Sequence, residues 1–337
     1  MQIIKKKTLF VLIITIAIIC TAFICVNIVK NIPKNDRQLV FYANITSIEP
    51  LLNDFMLHTG MSIDYHRVST SEFLNTILHG YQEDSFVIDI IQAPIPIMDM
   101  LANEGILKPY ISPSAATLPE WAKRENDGIY KFAIEYVSII FNSDMIDPDD
   151  VPRQYQDLTD PKWMNKIVMP DPLIHSTTIS WLVALKEHVF EDDYIQWVDF
   201  LKGLAANKPL FVSSFTPTPT YIINGERPIG ISMPKYIVSH EKSSLDWAKI
   251  EPIMGTFRGI GISSKTQNSE TAKVFIDYWL SERAGRILAN DVGEYVLVPG
   301  VYPPIEGMDK ATVLPIKELN KAEFDFWRNE FTGIFNL

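Results

Sequence analysis

Apolar residues are distributed along this chain in three different ways. An almost unbroken apolar run extends from Thr8 to Val29, after Lys5, Lys6 and Lys7 and before Lys30 and Pro33. About 20 apolar residues span a bilayer, and lysines ahead of them hold the amino end in the cytoplasm. The run therefore predicts export of everything after Lys30, through either a retained anchor over 8–29 or a signal cut after Ala22. Cys20 and Cys25 lie inside it, each after an isoleucine where a lipidation signal wants a small residue.

Beyond the run, short β-type stretches alternate with helix-period stretches. Leu39 to Ala43 reads as a strand, Ile48 to His58 as a helix, Ser62 to Val68 as a strand, and Ser71 to Leu78 as a helix. Phe86 to Ile91 reads as a buried strand and Ile97 to Asn103 as a helix ending before Gly105. Strand and helix in turn imply parallel βαβ units with helices on both faces. Tyr130 to Asn142 contains a longer apolar stretch, Phe132 to Phe141, than one ordinary strand needs, which predicts a crossover between lobes. Strands near Ile167, Leu210 and Ile229 with helices over 180–190 and 194–206 form a second lobe, and Gly255 to Ile262 is the return crossover. Helices over 269–280 and 283–290 follow, then a Pro-containing tail after Val301 with a short last helix. The predicted class is α/β, two lobes on a two-strand hinge. Residues 1–34 are the anchor or signal, 35–138 and 259–337 lobe 1, and 139–258 lobe 2.

A length of 337 residues is enough for two cores. The net charge of −11 lacks the basic footprint that nucleic acid requires. No cysteine lies outside the apolar run, which removes disulfides, thiolate metal sites and cysteine nucleophiles from the exported part. The six histidines show no metal-ligand spacing, and no Gly-x-Ser-x-Gly, His-Glu-x-x-His or phosphate-loop motif occurs. Neither an enzyme nor a bound cofactor or metal is expected.

Ligands of open α/β lobes lie beyond the carboxyl ends of the strands. Asn44, Thr46 and Ser47 follow the first strand, and Ser69 and Thr70 the second. His175, Ser176 and Thr177 precede a helix in the second lobe, and Ser213 and Ser214 follow a strand there. Hydroxyls and free amides at helix starts suit an anion. Ser and Thr are also the commonest helix caps, so each loop has a purely structural account as well. Gln92 after the third strand is a further candidate against a plain turn. Arg258 in the return crossover can pair bidentately with a carboxylate or phosphoryl group, in which case Arg258→Ala costs about 1.5 to 3 kcal/mol of anion binding. Its bland alternative is an inter-lobe ion pair. Glu135 in the first crossover can receive an amine or serve as a hinge ion pair.

The stretch from Asp157 to Pro172, with its Asp160-Pro161-Lys162-Trp163 core, resembles the ferric-type branch of type 2 periplasmic solute-binding proteins of ABC transporters, a branch that also binds phosphonates and phosphorylated small molecules. Val68 to Glu72, Glu104 to Pro109, Val212 to Ser214, Ser281 to Gly285 and Tyr295 to Pro299 extend the similarity over nearly everything after the apolar run. The resemblance implies a monomeric clamp at the outer face of the membrane that closes on a small ligand and presents it to an ABC permease. A membrane-held sensor for a signalling partner is the rival role. Iron-binding relatives hold the metal with adjacent tyrosines, and this chain offers Tyr236 after Lys235, with no histidine between Asn44 and Ser47. A hard ferric ion wants several oxygen ligands. A small organic anion such as a phosphonate or phosphate ester is therefore expected ahead of ferric iron or a polyamine.

Overall fold

The computed structural model describes residues 38–83, 87–317 and 319–335. The predicted anchor over 8–29 lies outside the described residues, and among those described no helix is long and apolar enough to cross a membrane.

Strand β1 (Gln38–Ala43) turns Leu39, Phe41 and Ala43 inward and pairs in parallel with β2 (Ser62–Arg67) and β3 (Ile90–Pro94). Between them lie α1 (Glu49–Thr59), which buries Leu51, Leu52 and Phe55, and α2 (Thr70–Gln82). Gly60 ends α1 at a φ of 69°, where its N–H caps Met56 O, the left-handed exit that glycine takes without strain. The predicted third strand, 86–91, sits further on at Ile90–Pro94, directly against α3 (Ile95–Asn103). The short β4 (Leu107–Lys108) and β5 (Lys123–Arg124) precede β6 (Ile129–Asn142), in which only Lys131 escapes burial.

The second lobe holds β7 (Ile167–Pro170), α4 (Ser176–His188), α5 (Tyr194–Ala206) and β8 (Leu210–Val212). Then come α6 (Thr218–Ile223), β9 (Ile229–Ser232), α7 (Lys235–Ser239) and β10 (Leu245–Trp247). Helix α4 begins four residues earlier than its periodicity suggested, because the His175 side chain caps it by accepting from Thr178 N–H. The chain returns through β11 (Ile253–Ser263), α8 (Ser269–Trp279), α9 (Glu282–Asn290), β12 (Tyr295–Val296), β13 (Val313–Pro315) and α10 (Lys321–Phe335).

The main strand order is β2-β1-β3-β11-β6-β9-β7-β8, with β3, β11, β6 and β9 antiparallel in succession. Strand β6 thus pairs with β11 in its first half and with β9 in its second, so one extended strand serves both lobes. This explains its fourteen-residue length and its burial on both faces. One core gathers Phe41, Phe55, Phe275 and Trp279. Another gathers Trp181, Trp197, Phe200 and Leu204.

The C-terminal segment departs from the expected division. Strand β13 pairs with β11 at Ile253–Gly255, and Phe331 and Phe335 of α10 join the second core, with Trp327 against Trp197 at 5.3 Å. The tail crosses the hinge and packs on the lobe of α4 and α5, where its aromatic face finds apolar cover. Its helix is fifteen residues long rather than short.

Candidate functional site

Between the lobes lies a cleft of about 710 Å³. One wall is built by the loops after β1 and β2, which bring Asn44, Thr46, Arg67 and Ser69, and by the start of α3 with Pro96 and Ile97. The other is built by the start of α4 and by the loop after β8, with His175, Ser176, Ser213, Ser214 and Thr216, and by Lys235 and Tyr236 of α7. Glu135 and Arg258 of the crossover strands line it too, and Ile174, Phe215, Met233, Leu319 and Phe324 add apolar surface.

Ten of the predicted contacts therefore share one cavity: Asn44, Thr46, Ser69, Glu135, His175, Ser176, Ser213, Ser214, Tyr236 and Arg258. Three do not line it. Ser47 is exposed at a φ of 63° and Thr177 is buried inside α4. Gln92 lies within β3, fully buried, where its Oε1 accepts from Ile45 N–H at 3.1 Å and pins the first loop. Thr70 opens α2, and its side chain is outside those described.

The crossover strands carry an ion network. Arg258 pairs with Ala133 and Thr256 with Glu135 across β11 and β6, so Glu135 and Arg258 are diagonal neighbours on one face. Arg258 Nη2 lies 3.0 Å from Glu135 Oε2, its Nε donates to Glu294 Oε2 at 3.0 Å, and its Nη1 donates to Asn44 Oδ1 at 3.3 Å. Lys235 Nζ donates to the other Glu294 oxygen at 2.8 Å. All four charged side chains are buried. Burial alone would lower the Arg258 pKa, but Glu135 and Glu294 outweigh it and hold the guanidinium charged. Burial would likewise raise Glu294, and Arg258 and Lys235 overcome it and keep the carboxylate ionised. For Lys235 burial wins, with the Arg258 charge adding to it, and the ammonium pKa falls despite Glu294.

Gly293 is what lets this network close. At a φ of 82° it packs where a Cβ would stand 2.7 Å from Lys235 O and 2.9 Å from Lys235 Cα, so only glycine brings the backbone of α7 beside Glu294. Tyr136 OH holds the same turn by donating to Gly293 O at 2.8 Å.

The cleft's other polar groups are tuned by burial. His175 Nδ1 accepts from Thr178 N–H at 3.3 Å, which places the ring proton on Nε2. Burial, with the ring edge-on to Phe215 at 4.8 Å, pushes its pKa down to about 4, so the imidazole is neutral at pH 7. Burial also raises the Tyr236 phenol, which hydrogen-bonds Thr216. Among the described residues Arg67 has no ion-pair partner, whereas Ser69 Oγ donates to Glu72 Oε2 at 2.7 Å. No group of three His, Cys, Asp or Glu side chains among those described is arranged to hold a metal.

Sequence reasoning left Arg67, Glu294 and the apolar side chains out of the site. Arg67 had a signal, since it ends a parallel strand just before a candidate loop. Glu294 had none, because its place depends on a turn 36 residues from Arg258.

A model of the bacterial extracellular solute-binding proteins matches residues 87–322. The substrate-binding protein of an ABC transporter from Agrobacterium tumefaciens superposes with a TM-score of 0.74 at 13% identity, over 89% of this chain and 96% of its own. A periplasmic binding protein from Actinobacillus pleuropneumoniae with fructose-6-phosphate bound gives 0.65 at 18%, over 89% and 96%. Iron uptake protein A2 of Synechocystis is 25% identical over 227 residues, 60% of this chain and 63% of that protein. Matches to the curated relatives span 42% and 63% of their lengths.

Proposed function

The chain belongs to the bacterial extracellular solute-binding proteins, a family of binding proteins rather than enzymes, and we propose that it captures a small organic anion, such as a phosphonate or phosphate ester, for an ABC importer. One observation carries the choice of ligand. Glu135 on the cleft and Glu294 behind it are spent on Arg258 and Lys235, and Glu72 on the wall accepts from Ser69, while among the described residues Arg67 stands on the wall without an acidic partner. A polyamine would find few uncommitted carboxylates there, and ferric iron would find one phenol and no cluster of acidic or imidazole ligands among the described residues. An anion finds Arg67, the Nε2–H of His175, and hydroxyls from both walls.

The hinge supports the mechanism. A ligand that touches both walls stabilises the closed form by its differential affinity, and closure bends β6 and β11 while leaving each lobe's core intact. The closed monomer is what the permease receives, with the amino-terminal apolar run tethering or having exported the clamp.

Thermal unfolding of the full chain in mild detergent tests this, against ferric iron with and without phosphate, phosphonates, sugar phosphates and polyamines. A ligand bound only by the folded state raises the midpoint by mass action. A rise with phosphorylated compounds and none with iron is expected. A rise with iron or a polyamine alone would overturn the anion reading.

A further inference from the structure

The polar half of the cleft accounts for a head group, and the apolar side chains beside it have no part in holding one. Met100 is 39% exposed and Ile174 57%, large apolar surfaces turned into the cavity from opposite walls. Next to them opens a second cavity of about 320 Å³, lined by Ile95, Pro96, Met100, Phe257, Ile316 and Leu319. It shares Pro96, Met100 and Leu319 with the cleft, so the two spaces adjoin. Its polar rim is Asp99, Asn103 and Asn320, of which Asp99 pairs with Arg124. Three separate parts of the chain meet there: the first turns of α3, Phe257 of the hinge strand, and the strap between β13 and α10. Ile316 N–H donates to Gly255 O at 2.8 Å, which ties the start of the strap to the hinge strand.

We infer that this annex receives an apolar tail of the ligand, so that the solute is an alkyl- or aryl-substituted acid and not a bare oxyanion or a fully hydroxylated sugar phosphate. The inference rests on the anion reading for the head group. Apolar lining of this extent stays wetted unless a hydrocarbon covers it, and a tail lying on Met100 and Leu319 removes that surface from water.

The test measures binding to the full chain by calorimetry, with methyl-, propyl-, hexyl- and phenylphosphonate and the matching alcohols. Affinity is expected to rise about threefold to fourfold per methylene from methyl to hexyl. Leu319→Ala should flatten that rise, and Ile95→Ala, at a residue that lines the annex and not the cleft, should flatten it and leave methylphosphonate unchanged. Equal affinity across the phosphonates would overturn the annex and leave the anion reading standing. Alcohols that show the same rise and bind as well as their phosphonates would overturn the anion reading and leave the annex standing. An equal loss for every chain length in both variants, or no binding by any probe, overturns the inference.

Discussion

Arg258 Nη2 lies 3.0 Å from Glu135 Oε2, so two residues that the sequence offers as separate ligand contacts are first of all partners of each other. Each lies on a different crossover strand, and Glu294 and Lys235 extend the pair from the hinge into α7. The arrangement holds two positive and two negative side chains, and it joins the two crossover strands.

Arg258→Ala therefore acts on stability before it acts on binding. It leaves Glu135 without its cation and Glu294 with Lys235 alone, and breaking a buried pair from one side costs about 3 to 5 kcal/mol. Urea unfolding should show that loss with no ligand present. An unchanged midpoint would mean that the network does not support the fold.

Arg67→Ala should do the reverse. Its side chain is exposed and has no ion-pair partner among the described residues, so the unfolding midpoint should hold within about 0.5 kcal/mol. Binding of a phosphonate should weaken about tenfold or more through loss of a charged hydrogen bond, an effect that shrinks in high salt. Titration calorimetry at two ionic strengths separates the contributions.

Much of this molecule was legible in the pattern of its residues. The apolar stretch from Phe132 to Phe141, broken by Glu135 and Ser138, was too long for one ordinary strand and announced a crossover between lobes, and the hydroxyl-rich ends of β1, β2 and β8 announced the walls of the cleft. What stayed hidden depends on distance along the chain. Glu294 meets Arg258 only because Gly293 admits the backbone of Lys235, and no local spacing encodes that. The strap was misplaced for a related reason. Trp327 and Phe331 mark an apolar helix face, but a face does not say which lobe will cover it.

His175 gives the cleft a pH signature. Its folded pKa is about 4, below the ordinary 6.5, so the unfolded chain takes up the proton first as pH falls. Stability from this group is fully present above about pH 6.5, is lost between there and about pH 4, and does not fall further below that. The ring is partly exposed, so the expected loss is about 1 to 3 kcal/mol. His175→Asn should remove this share of the slope from a plot of unfolding free energy against pH. An identical slope in the variant would assign the dependence to other groups.

Phe331 tests the docking of α10. Its ring is fully buried against Trp197 and Trp327. Truncation to alanine opens a cavity there and should cost about 3 to 5 kcal/mol in urea unfolding. A loss under 1 kcal/mol would show that the strap and helix are not part of the second core.

Gly255 is the tightest point of the hinge. It faces Tyr136 across β6 and Pro315 across β13, and a Cβ there would stand 2.2 Å from Glu135 O and 2.7 Å from Tyr136 Cα. Those atoms are backbone and cannot swing aside, so Gly255→Ala must push β11 away from β6. The cost is that of overpacking, about 1 to 3 kcal/mol. The displacement also falls beside Glu135, so ligand binding should weaken in the same variant. Gly333→Ala is the control. Gly333 lies in α10 with nothing within 4 Å of its would-be Cβ, and alanine there should stabilise the helix by up to about 1 kcal/mol. Equal effects from the two substitutions would show that the crossing strands have room to spare, and the close packing at Gly255 would then play no part in coupling hinge to cleft.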